Sequence, residues 1–237
     1  MDYEIKNEFE SLLYQSNKNK SFKLIWDILY YTRLLKYVHQ KQYKEIRDRL
    51  RLAATKKTLS QLCSLNYLKE VDRLVFCTTD KAIELLNKVK YRVPLGYGLD
   101  LLPEEPVGKA GINEMNNTDV FIEALKLQDY YALLYPHFEY LVPDALLVQK
   151  NDHAYKLTFL EVEKPKSNWQ TYLEDKKQKY LRLSQDINFY NYWLNTSLKL
   201  GLTMPELKNL KFSICIVGNI IKDFGEGFIF KPSLLPK

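Results

Sequence analysis

At 237 residues with 46% hydrophobic composition, the chain has apolar material for one large core or two small ones. No run approaches the roughly 18 uncharged apolar residues of a membrane span, and the charged opening Met-Asp-Tyr-Glu-Ile-Lys-Asn-Glu lacks a signal-peptide core, so a cytoplasmic location is expected. Three scattered cysteines (Cys63, Cys77, Cys215) and three scattered histidines (His39, His137, His153) indicate neither a disulfide framework nor a zinc site. The net charge of +6 is uneven. Residues 1–92 carry 19 Lys/Arg against 11 Asp/Glu, whereas residues 93–237 carry 16 against 18. A basic front half fits nucleic-acid contact, and would also fit an ordinary solvated surface.

After an N-terminal extension over 1–21, the run Phe22–Val38 is strongly apolar, of helical length and free of breakers. A second helix, Lys41–Leu52, carries Lys44, Arg47, Arg49 and Arg51. In the next segment Leu59, Leu62, Cys63 and Leu65 form an inward stripe at helical spacing. Thr55, Lys56, Lys57, Ser60 and Gln61 lie on or near the opposite side. Asn66 suits a left-handed helix end. Tyr67–Val71 and Leu74–Thr78 are strand-like around Asp72-Arg73, and Thr79 or Asp80 caps a last helix, Lys81–Val89. This order predicts an all-helical winged helix-turn-helix with a two-stranded wing over residues 22–90. Its third helix would enter the major groove of double-stranded DNA, with polar residues at base edges and basic residues at phosphates. A winged helix used only for protein contact is the competing reading. Residues 91–110 gather three of nine prolines and three of eight glycines and read as a linker.

The remainder, 111–237, begins with a helix over Ile112–Leu127. Leu141–Lys164 then holds two apolar runs joined by the polar turn Lys150-Asn151-Asp152-His153, the signature of a β-hairpin. With three or four residues in the turn, Asp144 falls opposite Leu160 or Glu161, within roughly 5–8 Å. Alternation puts Glu161 and Glu163 on one face, with Val162 and Lys164 on the other. Three carboxylates on one patch repel one another unless a cation sits among them, and a hard divalent ion such as Mg²⁺ suits oxygen ligands. Alternatively, these are charged residues where strands emerge into solvent. A helix over Asn168–Leu183, capped by Ser167, follows. Trp169, Tyr172, Leu173, Tyr180 and Leu183 line one stripe with Lys176 in its middle. The ammonium either meets the carboxylates or snorkels to water. A helix Ile187–Lys199, a strand 211–218 and a short strand Gly227–Lys231 complete an α/β core.

Pro143-Asp144 followed by Glu161-Val162-Glu163, with Lys176 or Lys177 and Tyr180 on the next helix, resembles the motif of the PD-(D/E)XK nuclease-like superfamily. From about 22 to 220 the chain resembles the replication-relaxation family of plasmid-borne proteins, which joins a winged helix to such a domain; Val75-Phe-Cys-Thr-Thr-Asp-Lys-Ala-Ile-Glu-Leu-Leu fits the same pattern. The resemblance implies a restriction-endonuclease-like α/β domain in which Asp144, Glu161 and the Val162 carbonyl hold Mg²⁺ or Mn²⁺. One departure stands out: Glu163 occupies the position that is usually lysine. Within the superfamily, glutamate sometimes serves there, and sometimes the neighbouring helix supplies the lysine, which Lys176 could imitate. The implied functions are a metal-dependent DNA nuclease or nickase of a mobile element or, alternatively, a replication or transcription factor whose nuclease-like domain is inert. A generic two-domain protein with neither activity is the third reading. A second copy of the chain or other mobile-element proteins are the expected further partners.

Overall fold

Apolar residues at helical spacing from Phe22 onward form the first helix, but it stops well short of Val38. The computed structural model describes residues 22–50, 56–88, 99–106, 112–151, 154–164, 168–202, 212–218 and 227–234. These divide into two units, Met1–Val93 with Leu102–Ile122, and Pro94–Leu101 with Glu123–Lys237. Among the described residues no helix is long and apolar enough to cross a membrane.

In the first unit, α1 spans Phe22–Leu34. The chain then turns through Lys36, whose φ of 65° is left-handed, into a two-residue strand β1, Val38–His39. The single helix expected over Phe22–Val38 is therefore a helix, a turn and a strand. The buried apolar side chains Leu35, Tyr37 and Val38 satisfy either conformation, so the apolar pattern alone did not mark the break. Helices α2 (Gln42–Leu50) and α3 (Lys56–Ser64) follow, then β2 (Leu68–Asp72), β3 (Val75–Thr78) and α4 (Asp80–Lys88). Asn66 ends α3 at φ 59° while the Tyr67 N–H donates to Leu62 O at 2.9 Å, a left-handed close of the helix. The three strands make one antiparallel sheet in the order β1-β3-β2. The front half is thus not all-helical. The turn between β2 and β3 centres on Arg73-Leu74, with Leu74 at φ 61° and its N–H on Glu70 Oε1 at 2.8 Å.

The proline-rich stretch includes a 3₁₀ turn at Leu99–Leu101, and residues beyond it bond to the first unit. Buried Arg33 donates from Nε to Pro103 O at 2.6 Å, and Glu105 accepts from the Asp80 N–H at 3.0 Å. Helix α5 spans Ile112–Leu125. Its Thr118 hydroxyl donates to Tyr37 O at 2.7 Å, and Asp119 accepts from Gln42 Nε2 at 2.6 Å.

The second unit is built on a five-stranded mixed sheet, ordered β4-β5-β6-β7-β8. Its strands are β4 (Tyr130–Leu134), β5 (Ala145–Asn151), β6 (Ala154–Val162), β7 (Phe212–Val217) and β8 (Phe228–Lys231). β4, β5 and β6 pair antiparallel, whereas β6, β7 and β8 run parallel. The strand β4 had no counterpart in the sequence reading. The hairpin strands pair from Asn151↔Ala154 to Ala145↔Leu160; Asp152 and His153 lie outside the described residues. As a central strand, β6 is buried on both faces, with Leu157 and Phe159 on one side and Thr158 and Leu160 on the other. Two helices, α6 (Trp169–Leu183) and α7 (Ile187–Lys199), cover the Phe159 face. Tyr180 lies 5.3 Å from Phe159 and Phe189 lies 5.3 Å from Phe212, centroid to centroid, and Trp193 is fully buried beside them. Asn168 is the N-cap of α6 without a side-chain hydrogen bond; the expected cap, Ser167, lies outside the described residues.

Candidate active site

Strand and helix geometry together dictate how the charged groups meet. Alternate residues on a strand are about 6.6 Å apart, and residues four apart on a helix rise about 6 Å. Glu161 and Glu163 near the end of β6 therefore match the spacing of Tyr172, Lys176 and Tyr180 along one stripe of α6. The helix runs antiparallel to the strand, so Tyr180 reaches Glu161, Tyr172 reaches Glu163 and Lys176 falls between them. The Lys176 ammonium lies 2.5 Å from both Glu161 Oε2 and Glu163 Oε1. The Tyr180 hydroxyl donates to Glu161 Oε1 at 2.6 Å, and the Tyr172 hydroxyl donates to Glu163 Oε1. The Tyr172 ring also sits 5.2 Å from the ammonium. Lys176 is thus an ion-paired residue inside the stripe rather than a snorkelling one; its side chain is 13% exposed, against 2% and 6% for Glu161 and Glu163.

Asp144 comes from the other hairpin strand. Pro143 and Asp144 precede β5, and one step beyond the last pair, Ala145↔Leu160, the register sets Asp144 against Glu161. The half-buried Asp144 accepts the Val162 N–H on Oδ2 at 2.7 Å. Lys164, on the opposite face, is exposed.

Burial governs the electrostatics. Desolvation pushes the Glu161 carboxyl up to about 7, with the Asp144 charge adding to the rise and Lys176 and Tyr180 holding it back. Burial alone would depress the Lys176 ammonium, but Glu161 and Glu163 more than offset it and raise it above the ordinary lysine range. Desolvation, with Glu161 next, lifts the Tyr180 phenol well above its usual value, so it remains a donor.

The donor set consists of hard oxygens, the type that suits Mg²⁺ or Mn²⁺, and Asp144, Glu161 and the Val162 carbonyl are the groups available to hold such an ion. Two glutamates already close around a cation here, the Lys176 ammonium. Among the described residues no three His, Cys, Asp or Glu side chains stand as a preformed metal cage.

Sequence reasoning missed two contributors. Tyr172 reads as one more aromatic of the apolar stripe, and only its spacing of four from Lys176 hints at a polar role. Gly218 follows β7, where the Glu163 N–H donates to Val217 O at 3.0 Å. A Cβ on Gly218 would lie 2.4 Å from the Glu163 carbonyl oxygen, so only glycine lets the two strand ends approach this closely.

In the first unit, Lys56, Lys57 and Ser60 are exposed on α3 and Gln61 is half-buried, whereas Thr58, Leu59 and Leu62 are buried. Cys63 and Leu65, expected inside, are half-buried, and Thr58 takes an inward place instead. Arg47 and Arg49 belong to α2; Arg51 and Thr55 lie outside the described residues. No protein-family model, curated protein or solved structure matches the chain.

Proposed function

We propose that the chain is a DNA-binding protein of a mobile element, in which a winged helix directs a PD-(D/E)XK-like domain that cleaves or nicks DNA with the help of Mg²⁺ or Mn²⁺. The observation that carries this reading is the gathering of Asp144, Glu161, Glu163 and Lys176 where the parallel strands β6 and β7 end. The carboxyl ends of parallel strands are where α/β sheets bind ligands, and carboxylate oxygens are the donors a hard divalent cation takes. Asp144, Glu161 and the Val162 carbonyl would hold the metal. Bound there, it would supply an acidified water and offset charge developing on the scissile phosphate. Glu163 or Lys176 would orient that water toward phosphorus. Lys176, reaching the carboxylates from the following helix, offers the charge missing at position 163.

The winged-helix half of the proposal rests on the order helix, strand, helix, helix, hairpin, with β1 pairing to β3. The α3 face bearing Lys56, Lys57, Ser60 and Gln61 would meet the major groove, joined by Arg47, Arg49, Arg51 and Thr55. The inert alternative, a DNA-binding replication or transcription factor, draws on the same ion cluster. Two tyrosines and a lysine already satisfy both glutamates, as they would in a structural network. Incubation with supercoiled plasmid and Mg²⁺ or Mn²⁺ decides between them. The nuclease reading expects metal-dependent nicked or linear product from the natural chain and none from Asp144→Ala. Intact plasmid together with retained DNA binding would favour the inert factor.

A further inference from the structure

The Lys176 ammonium makes contacts that a small cation would make. It lies 2.5 Å from an oxygen of each of two buried glutamates and 5.2 Å from the Tyr172 ring centroid. Tyr172 and Tyr180 donate their hydroxyls to the same two carboxylates, fixing the glutamate oxygens around that point. Two carboxylates held this close, with Asp144 beside them, could not both stay ionised in a dry site if the ammonium left, unless another cation replaced it.

We propose that Lys176 is a tethered stand-in for a divalent cation, and that metal reaches Glu161, beside Asp144, by displacing its ammonium. The inference rests on the metal-assisted reading above and specifies how that site is kept closed. An ammonium and a divalent ion sharing Glu161 repel each other, so lysine and metal compete for the carboxylate. Exchange has a second consequence. Released from the glutamates, the ammonium stays tethered within reach of the site and is free to hold a water or a phosphate oxygen. The same residue thus keeps the carboxylates paired at rest and is set free when metal arrives.

The test is Mn²⁺ binding by the full-length chain, read by calorimetry and by the metal-induced shift in melting temperature, for the natural protein, Lys176→Met and Lys176→Arg. Lys176→Met keeps most of the stem and removes the charge. It is expected to bind Mn²⁺ at least about tenfold more tightly, equivalent to ~1.4 kcal/mol, and to gain more thermal stability from the metal than the natural chain. Lys176→Arg retains a cation and should keep the natural, weaker affinity. Should Lys176→Met unfold without metal, recovery of its circular dichroism spectrum in millimolar Mn²⁺ is the expected result, with Lys176→Gln as a second neutral variant. Failure of both neutral variants to fold in Mn²⁺ would show that a divalent ion does not take the ammonium's place. Equal or weaker Mn²⁺ binding by a folded neutral variant, with measurable binding by the natural chain, would overturn the displacement while leaving the metal site standing. Absence of Mn²⁺ binding in every variant would remove the metal-assisted reading and the displacement together.

Discussion

Replacing Glu161 with glutamine should remove a pH dependence of stability. The carboxyl is 2% exposed and is lifted from 4.5 to about 7 in the folded chain, first by desolvation, then by Asp144 against the opposing pull of Lys176. Between these values the folded chain binds a proton that the unfolded chain has released. The stabilising contribution is therefore full below about pH 4.5 and is lost as pH rises through 7. The span of 2.5 pH units, at about 1.36 kcal/mol each, corresponds to roughly 3 kcal/mol. Lys176 stays charged across this window, because its ammonium is raised above the ordinary lysine value. Glu161→Gln cannot titrate. The difference in unfolding free energy, natural chain minus variant, should thus fall by roughly 3 kcal/mol between about pH 4.5 and 8. Urea unfolding at fixed ionic strength, followed by tryptophan fluorescence at several pH values, measures it. The ion pair lost in the variant changes the level of its curve, and the shape carries the test. Parallel curves for the two proteins would refute the claim that burial governs this carboxyl.

Three further outcomes follow from the geometry. Tyr180→Phe keeps the ring contacts with Phe159 and Phe212 and removes a buried hydrogen bond to a charged acceptor, so the urea midpoint should report a loss of about 1.5–3 kcal/mol; a loss under about 0.5 kcal/mol, within the range of an ordinary surface change, would contradict the bond. Gly218→Ala drives a methyl group against the Glu163 carbonyl and should cost about 1–3 kcal/mol in thermal melting, whereas a melting curve like that of the natural chain would mean the strand ends give way freely. On the proposed DNA-binding reading, replacing Lys56 and Lys57 with alanine should weaken binding to every duplex sequence and reduce the slope of log affinity against log salt by about two; an unchanged slope would count against a phosphate-contacting role for α3.

What could be read from the residues divides along physical lines. The β5–β6 hairpin was legible because polar residues 150–153 separate two apolar runs, and Lys176 because a charge inside an apolar helical stripe requires a partner. Asn66 was legible from its tolerance of left-handed backbone. By contrast, β1 lies at the end of a run whose apolar residues suit helix or strand, and its preceding turn uses Lys36 rather than glycine. β4 was hidden for a related reason: Tyr-Tyr-Ala-Leu-Leu shows no alternation, and Ala132, Leu133 and Leu134 are all buried. The attachment of Pro103 to Arg33 was invisible because a backbone carbonyl carries no sequence signal. Tyr172 was seen only as apolar surface, since the hydroxyl that reaches Glu163 matters only once helix and strand are set side by side.

The mixed sheet also combines closures of very different length. The β5–β6 hairpin closes through neighbouring residues, down to Asn151↔Ala154, whereas the parallel pairing to β7 joins positions as far apart as Thr158 and Ser213, 55 residues distant. Short loops close at lower entropic cost than long ones, and local contacts form faster. Glu161 and Glu163 thus stand at the end of the strand that joins a short closure to a long one. The α6 segment lies between β6 and β7 in sequence, so Lys176 is nearer along the chain to the two glutamates than β7 is. The cation beside the two glutamates thus comes from the helix that follows them directly, across a stretch of chain far shorter than the one that closes the parallel pair.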